Sequence, residues 1–160
     1  MNSQVKIGER GAKRDIRVPA PSEPIYPIGV ASRISKIPIS IIREYESWGL
    51  TCPHITATGR RLFSDVDIAN MIHLRSLQKD YHLSLAGLRF LAGSLPCWAL
   101  KPCKPSDRKK CAAAKNNGVP CWITQDTPCE PDREKCRACT TYHAVSSLGE
   151  FKELLASICS

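Results

Sequence analysis

Apolar positions along the chain change period several times, and each change marks an element. Ile28 to Ile34 and Ile39 to Trp48 carry apolar residues at helical spacing, and the four residues between them, Ser35 to Pro38, leave room only for a tight corner between two helices. In the first helix Val30, Ala31 and Ile34 make an apolar face that should pack on Ile42 and Tyr45 of the second. Gly49 closes the second helix, because the residue past a helix end often takes the left-handed conformation that glycine adopts freely. The polar stretch that follows, with Pro53 and Gly59, suits a small two-stranded ribbon tipped by Arg60 and Arg61.

Ser64 and Asp67 then have the form of a capping box, opening a helix through Ile68, Met71, Ile72 and Leu74 to about Leu77. Ser84 starts another, with Leu85, Leu88 and Leu91 at three-residue spacing and Gly93 as its stop. Leu95, Pro96 and Cys97 break the pattern, and no heptads follow. Helical spacing returns only with a second capping box, Ser147 to Glu150, ahead of Phe151, Leu154, Leu155 and Ile158.

These elements predict a mainly α chain in four parts. Residues 1–25 mix charge, Gly, Ser and Pro without periodicity and are expected to be a disordered basic arm; residues 26–94 form a helix-turn-helix with a two-stranded wing. Residues 97–143 form a small irregular Cys-rich unit, and residues 146–159 a short amphipathic helix.

Charge and composition narrow the partners. The 160 residues carry a formal net charge of +8, spread along both halves, which favours nucleic acid. No apolar run approaches the roughly 18 residues a membrane span needs, and no secretory signal core stands at the start, so a cytoplasmic location without membrane contact is expected. No Ser/His/Asp set, phosphate-binding glycine loop or paired carboxylates point to an enzyme.

The first segment resembles the MerR family of bacterial transcription regulators. The resemblance rests on Ile28-Gly29, on Arg43-Glu44-Tyr45-Glu46 followed by Gly49-Leu50, and on Gly59-Arg60-Arg61-Leu62-Phe63-Ser64-Asp65-Val66-Asp67. It implies a second helix in the major groove of promoter DNA and a wing on the flanking backbone. Carried over residue by residue, Ser40, Ile41 and Arg43 face the groove and Arg60 and Arg61 the phosphates, and Tyr45 counts with them among the DNA-binding candidates. Arg33 either touches phosphate or stays in water. Glu44 stands where the family has an aromatic; it either turns away from the duplex or accepts from a cytosine amino group. The resemblance also implies RNA polymerase as a partner and a dimer built on a long helix. The break at Pro96 removes that helix, so a homodimer would need another contact.

Nine cysteines remain to be explained, seven of them between residues 97 and 143: Cys97, Cys103, Cys111, Cys121, Cys129, Cys136 and Cys139. So many thiols among Lys and Pro, with few aliphatic residues, cannot fold on apolar burial alone, and in a reducing compartment metal is the natural staple. Cys136 and Cys139 have the CxxC spacing that turns two sulfurs toward one centre. Four ligands saturate either a 4Fe-4S iron-sulfur cluster or a zinc ion, and His143 would make an eighth group, enough for two zincs. Cys52 and Cys159 are expected to be ordinary thiols.

Cys97-Trp98, Cys121-Trp122, Cys129 and Cys136-Arg137-Ala138-Cys139 resemble the two-CW modules of bacterial regulatory proteins, which implies a metal or redox unit. Three functions follow: a regulator whose Cys-rich unit senses redox state or metal, a zinc-stapled architectural or adaptor protein that senses nothing, and a dithiol oxidoreductase using Cys136 and Cys139. The last lacks the strand that usually precedes a catalytic CxxC.

Overall fold

The computed structural model describes residues 20–101, 103–115, 118–129 and 133–150. Helices α1 (Ile28–Ser35) and α2 (Ile39–Ser47) meet at the expected corner. Lys36 takes a left-handed φ of 56° there. The Ser32 hydroxyl donates to the Ile37 carbonyl at 2.6 Å and the Ser35 hydroxyl accepts from the Ile37 N–H at 3.3 Å, so the corner satisfies its own backbone. Its buried side differs from the expected one. Ala31 and Ser35 face inward with Ile28 half-buried, while Ile34 is exposed, about a quarter turn off that face at roughly 100° per residue.

The wing gains a strand. β1 (Tyr26–Pro27), β2 (His54–Ile55) and β3 (Arg61–Phe63) form an antiparallel sheet in the order β1-β3-β2, with Tyr26 opposite Phe63 and His54 opposite Leu62. Residues 20–25, expected to belong to the disordered arm, are tied to it. The Ile25 N–H donates to the Phe63 carbonyl at 3.0 Å, and the Val66 N–H donates to the Pro21 carbonyl at 3.1 Å. A two-residue strand is too short to show alternation in sequence, but its backbone pairs the otherwise open edge of β3. Residues 1–19, with the arm's basic residues, lie outside the described part.

Helix α3 (Asp65–Asp80) begins at the predicted capping box: Asp67 accepts from the Ser64 N–H at 2.7 Å and Ser64 Oγ from the Asp67 N–H at 3.2 Å. Ile68, Met71, Leu74 and Leu77 are buried, whereas Ile72 points outward. Helix α4 (Leu85–Gly93) is capped by Ser84, whose hydroxyl accepts from the Gly87 N–H at 3.1 Å. Gly93 is the last residue of the helix, as expected, but not in a left-handed conformation; the backbone of Gly118 and Val119 crosses it, and a Cβ there would stand 2.3 Å from the Val119 nitrogen. Gly93→Ala is therefore expected to force the two segments apart and lower stability by about 1–3 kcal/mol, read as a lower urea midpoint.

Beyond α4 the chain runs through short pieces: α5 (Cys97–Leu100), α6 (Pro105–Lys110), α7 (Ala112–Lys115), a 3₁₀ turn (Cys121–Ile123), α8 (Arg133–Arg137), α9 (Thr140–His143) and a 3₁₀ segment (Ala144–Glu150). Ser147 sits within that last segment, and the helix expected after it, through Phe151 to Ile158, lies outside the described residues. Among the described residues no helix is long and apolar enough to cross a membrane.

The Cys-rich part is not a separate unit. Trp122, Tyr142, Val145 and Leu148 belong to the same buried cluster as Ala31, Ile42, Leu50, Phe63 and Met71, and the segment Ala144–Glu150 lies along α3. Apolar burial against the helix-turn-helix thus contributes to holding residues 97–143, beside any metal staple.

Candidate nucleic-acid interface and cysteine chamber

Helix α2 presents its polar side outward. Ser40, Arg43, Glu44 and Ser47 are exposed, and Ile41 is half-buried against the core. Tyr45 is on the other side. It is fully buried, at 0% exposure, and its hydroxyl donates to Gln78 Oε1 at 2.5 Å, so it cannot reach a duplex; it anchors α2 to α3 instead. The helical period explains this correction, since Tyr45 lies one turn from buried Ile42. Glu44 faces solvent on the same polar side as Arg43.

The two wing arginines differ. Arg60 is exposed at the tip, beside a turn closed by the Thr56 hydroxyl, which accepts the Arg60 N–H at 3.0 Å. Arg61 Nε donates to Glu46 Oε2 of α2 at 2.5 Å, and this partner raises its pKa further above the ordinary guanidinium value. Arg61 therefore braces the wing against the helix as well as facing outward. Between them lies a groove of about 570 Å³ lined by Arg43, Glu46, Ser47, Ile55 and Arg61. Arg33 is exposed on α1.

Ile123, from the Cys-rich part, lines that same groove. Its side chain fills the space beside Gly49, whose left-handed φ of 70° closes α2 and where a Cβ would come within 2.4 Å of Ile123 Cδ1. Next to it, Trp122 is 3% exposed and its indole N–H donates to the Gly49 carbonyl at 2.8 Å. The Trp122 ring meets Tyr142 edge-on, with centroids 5.1 Å apart.

The Tyr142 hydroxyl donates to the Asp67 carboxylate and accepts from the Cys52 N–H at 3.0 Å, while the Asn70 amide donates to the Tyr142 carbonyl at 3.0 Å. Burial holds the Asp67 carboxyl above its usual range despite the hydrogen bonds from Tyr142 and Ser64 that favour the ionised form. Burial and the neighbouring Asp67 charge push the Tyr142 phenol well up, so it stays protonated as a donor. On the wing side, His54 Nδ1 lies 2.5 Å from Glu134 Oε1 of α8, and Glu134 also pairs with buried Arg137. The Cys-rich part thus touches the end of α2, the cap of α3 and the wing.

Its thiols gather in one region. Cys97, Cys103, Cys111, Cys121, Cys129 and Cys139 line a cavity of about 320 Å³ together with Lys101 and Lys104. Cys136 lines an adjoining cavity that shares Cys121, Cys129 and Cys139 with the first. Among the described residues no disulfide joins the eight cysteines. The Cys121 thiol hydrogen-bonds to Cys97, which lowers the Cys97 pKa to about 7 and raises that of Cys121, with burial adding to the latter. All seven candidate ligands therefore face shared space, which their scattered spacing in sequence does not reveal. Thiolates beside lysines are suitable chemistry for a zinc ion or an iron-sulfur cluster. Among the described residues, however, no three Cys, His, Asp or Glu donors are gathered as a bound ion would require. His143 is directed elsewhere, its Nε2 2.9 Å from the Arg137 carbonyl. Cys52 is buried, and its backbone rather than its sulfur joins the Tyr142 network.

Sequence comparison agrees with the geometry of the first half. The family model described as MerR HTH family regulatory protein matches residues 26–92. The HTH-type transcriptional regulator GlnR of Bacillus anthracis is 34% identical over 68 residues, 42% of this chain and 52% of that protein, and GlnR of Bacillus cereus gives the same figures. HspR of Streptomyces coelicolor, named a heat shock protein, is 33% identical over 66 residues, 41% of this chain and 44% of that one. The chain spans about half the length of the curated relatives it matches. No solved structure matches it. Exposed α2, braced wing and sequence similarity agree that residues 26–92 resemble a MerR-type helix-turn-helix domain.

Proposed function

We propose that this protein is a cytoplasmic, DNA-binding transcription regulator that uses α2 to read promoter DNA and whose Cys-rich part senses redox state or metal through an iron-sulfur cluster or zinc. The observation that carries the first half is the groove that exposed Arg43 of α2 shares with Arg61 and Ile55 of the wing, with Arg60 exposed beside Arg61, on a chain of net charge +8. Such a surface would place a helix in the major groove and cations on the flanking phosphates. RNA polymerase is the partner expected of a promoter-bound regulator, and a homodimer, where it forms, uses a contact other than a long helix after α4.

The sensing half is supported by the seven thiols around joined cavities and by the contacts of that region with Gly49, Asp67 and His54. The adaptor reading is favoured by one observation, the single core shared by both parts, which suits a rigid body. Binding of the full chain to promoter DNA, followed by fluorescence anisotropy at 50–200 mM salt, tests the regulator reading. Binding should weaken by about 10³-fold or more across that range if some six phosphates are contacted. Salt-independent or absent binding refutes it. Metal content, with binding before and after oxidation, separates the alternatives: zinc and indifference to oxidation favour the adaptor.

A further inference from the structure

The larger cavity of the Cys-rich part has room for a small organic molecule. Its volume of about 320 Å³ stands at the lower end of the range of sites that enclose such ligands. Trp98, Pro128 and six thiols give it walls of low polarity, since a thiol packs as a small apolar group. Two features of these walls ask for a polar partner. Thr141 borders the cavity at 2% exposure, and its hydroxyl has no hydrogen-bond partner. A buried hydroxyl in that state costs stability until something bonds it. The second feature is charge. Lys101 and Lys104 border the cavity beside the Asp107 carboxylate, and the Arg108 guanidinium stands 4.1 Å from the centre of the Trp98 ring.

We propose that this cavity is a binding site for a small organic anion, an aromatic monocarboxylate with one ring or two fused rings. The ring lies against Trp98 and the thiol walls, where burial of apolar surface and ring-to-ring contact hold it. A carboxylate oxygen accepts from the Thr141 hydroxyl, and Lys101 and Lys104 supply the counter-charge at the rim. Both lysines are exposed, so their flexible ammonium groups stay hydrated in the empty protein and swing to the anion when it enters. Two ammonium groups and one carboxylate leave the lining one net positive charge, which matches a monoanion rather than a cation.

Such a site goes beyond the reading of the Cys-rich part as a redox or metal sensor, because a hydroxyl, an indole and ammonium groups hold the occupant and no thiolate is needed. Its walls also adjoin the contacts to the helix-turn-helix. Thr141 precedes Tyr142, whose hydroxyl donates to Asp67 at the cap of α3, and Cys121 precedes Trp122, which donates to the Gly49 carbonyl.

The test is calorimetric titration of the full chain, kept reduced and in chelator, with 1-naphthoate, the neutral 1-naphthamide and the cationic 1-naphthylmethylamine. Naphthoate should bind saturably at one site, the amide more weakly and the amine weakest. Thr141→Val should weaken naphthoate by about 10- to 100-fold, the worth of a hydrogen bond to a charged group. Since the hydroxyl it removes is unbonded, this variant should keep the wild-type urea midpoint. Lys101→Gln combined with Lys104→Gln should narrow the gap between naphthoate and naphthamide. Should Thr141→Val fail to fold by circular dichroism, the lysine pair gives the reading, because exposed side chains leave the fold intact. Absence of saturable binding, preference for the amine, or equal naphthoate affinity in all variants overturns the site. Zinc and iron are assayed in protein purified without chelator. Metal without naphthoate binding overturns the site and leaves the sensing reading standing, and naphthoate binding without metal does the reverse.

Discussion

Trp122→Ala should lower the stability of the whole chain by about 3–5 kcal/mol, the cost of a large cavity in a packed interior. The expectation is global because Trp122 touches both halves at once: its ring packs on Tyr142, its N–H holds the Gly49 carbonyl, and the buried cluster it belongs to includes residues of α1, α2 and α3. Chemical denaturation followed by far-UV circular dichroism should show one cooperative transition for the wild type, at a midpoint that falls in the variant. If the helix-turn-helix unfolded independently, with its midpoint unmoved by the substitution, the shared core described above would be wrong. Trp122→Phe keeps most of the apolar contact and removes the donor to Gly49, so it should cost far less.

The second large effect concerns DNA, and here two arginines should behave differently. Arg43 is exposed on the polar side of α2, where a guanidinium can reach base edges; Arg43→Ala should cost about 1–3 kcal/mol of promoter affinity and relax the preference for the cognate sequence. Arg60 is exposed at the wing tip, where a bound duplex would present its phosphates; Arg60→Ala should weaken binding about equally on all sequences and reduce the salt slope by about 1. Arg61 is a third case. Its Nε is held by Glu46, so Arg61→Ala should also loosen the wing against α2. Paired titrations of promoter and scrambled DNA across a salt series separate the three. Identical behaviour of Arg43→Ala and Arg60→Ala would mean that α2 does not lie in the groove.

Much of the first half was legible in order because its signals are local. The Ser64–Asp67 capping box, the Ser84 cap and the left-handed Gly49 each depend on a few consecutive residues, and each is found where its residues predict it. Errors appeared where a side chain's environment is set by distant segments. Ile34 and Ile72 have the apolar character of core residues, yet the elements that would cover them pack elsewhere. Tyr45 was carried to the DNA side by motif position, although its helical phase with Ile42 pointed inward. Gly93 ends α4 as its residue type predicts, yet it is also constrained by a backbone more than twenty residues further along, which no local signal shows.

The cysteines divide in the same manner. Their number and the CxxC of Cys136 and Cys139 announce thiol chemistry, but no spacing rule pairs Cys97 with Cys121, since 23 intervening residues impose no geometry. The link between the Cys-rich part and α2 was likewise beyond reach. Trp122 and Tyr142 give no local sign that their polar atoms will serve Gly49, Cys52 and Asp67.

Local order thus belongs to the chain alone: where helices start and stop, that two of them meet at a corner, that a basic wing follows, that thiols cluster late. Hydrogen bonds between near neighbours and the period of a helix are enough to decide these. The three-dimensional packing alone decides that both halves close over one interior, that Ile34 faces outward, and that seven scattered thiols border joined cavities. Burial of apolar surface is non-directional and pairs residues by shape once the chain has collapsed, so no short stretch of sequence can encode its outcome.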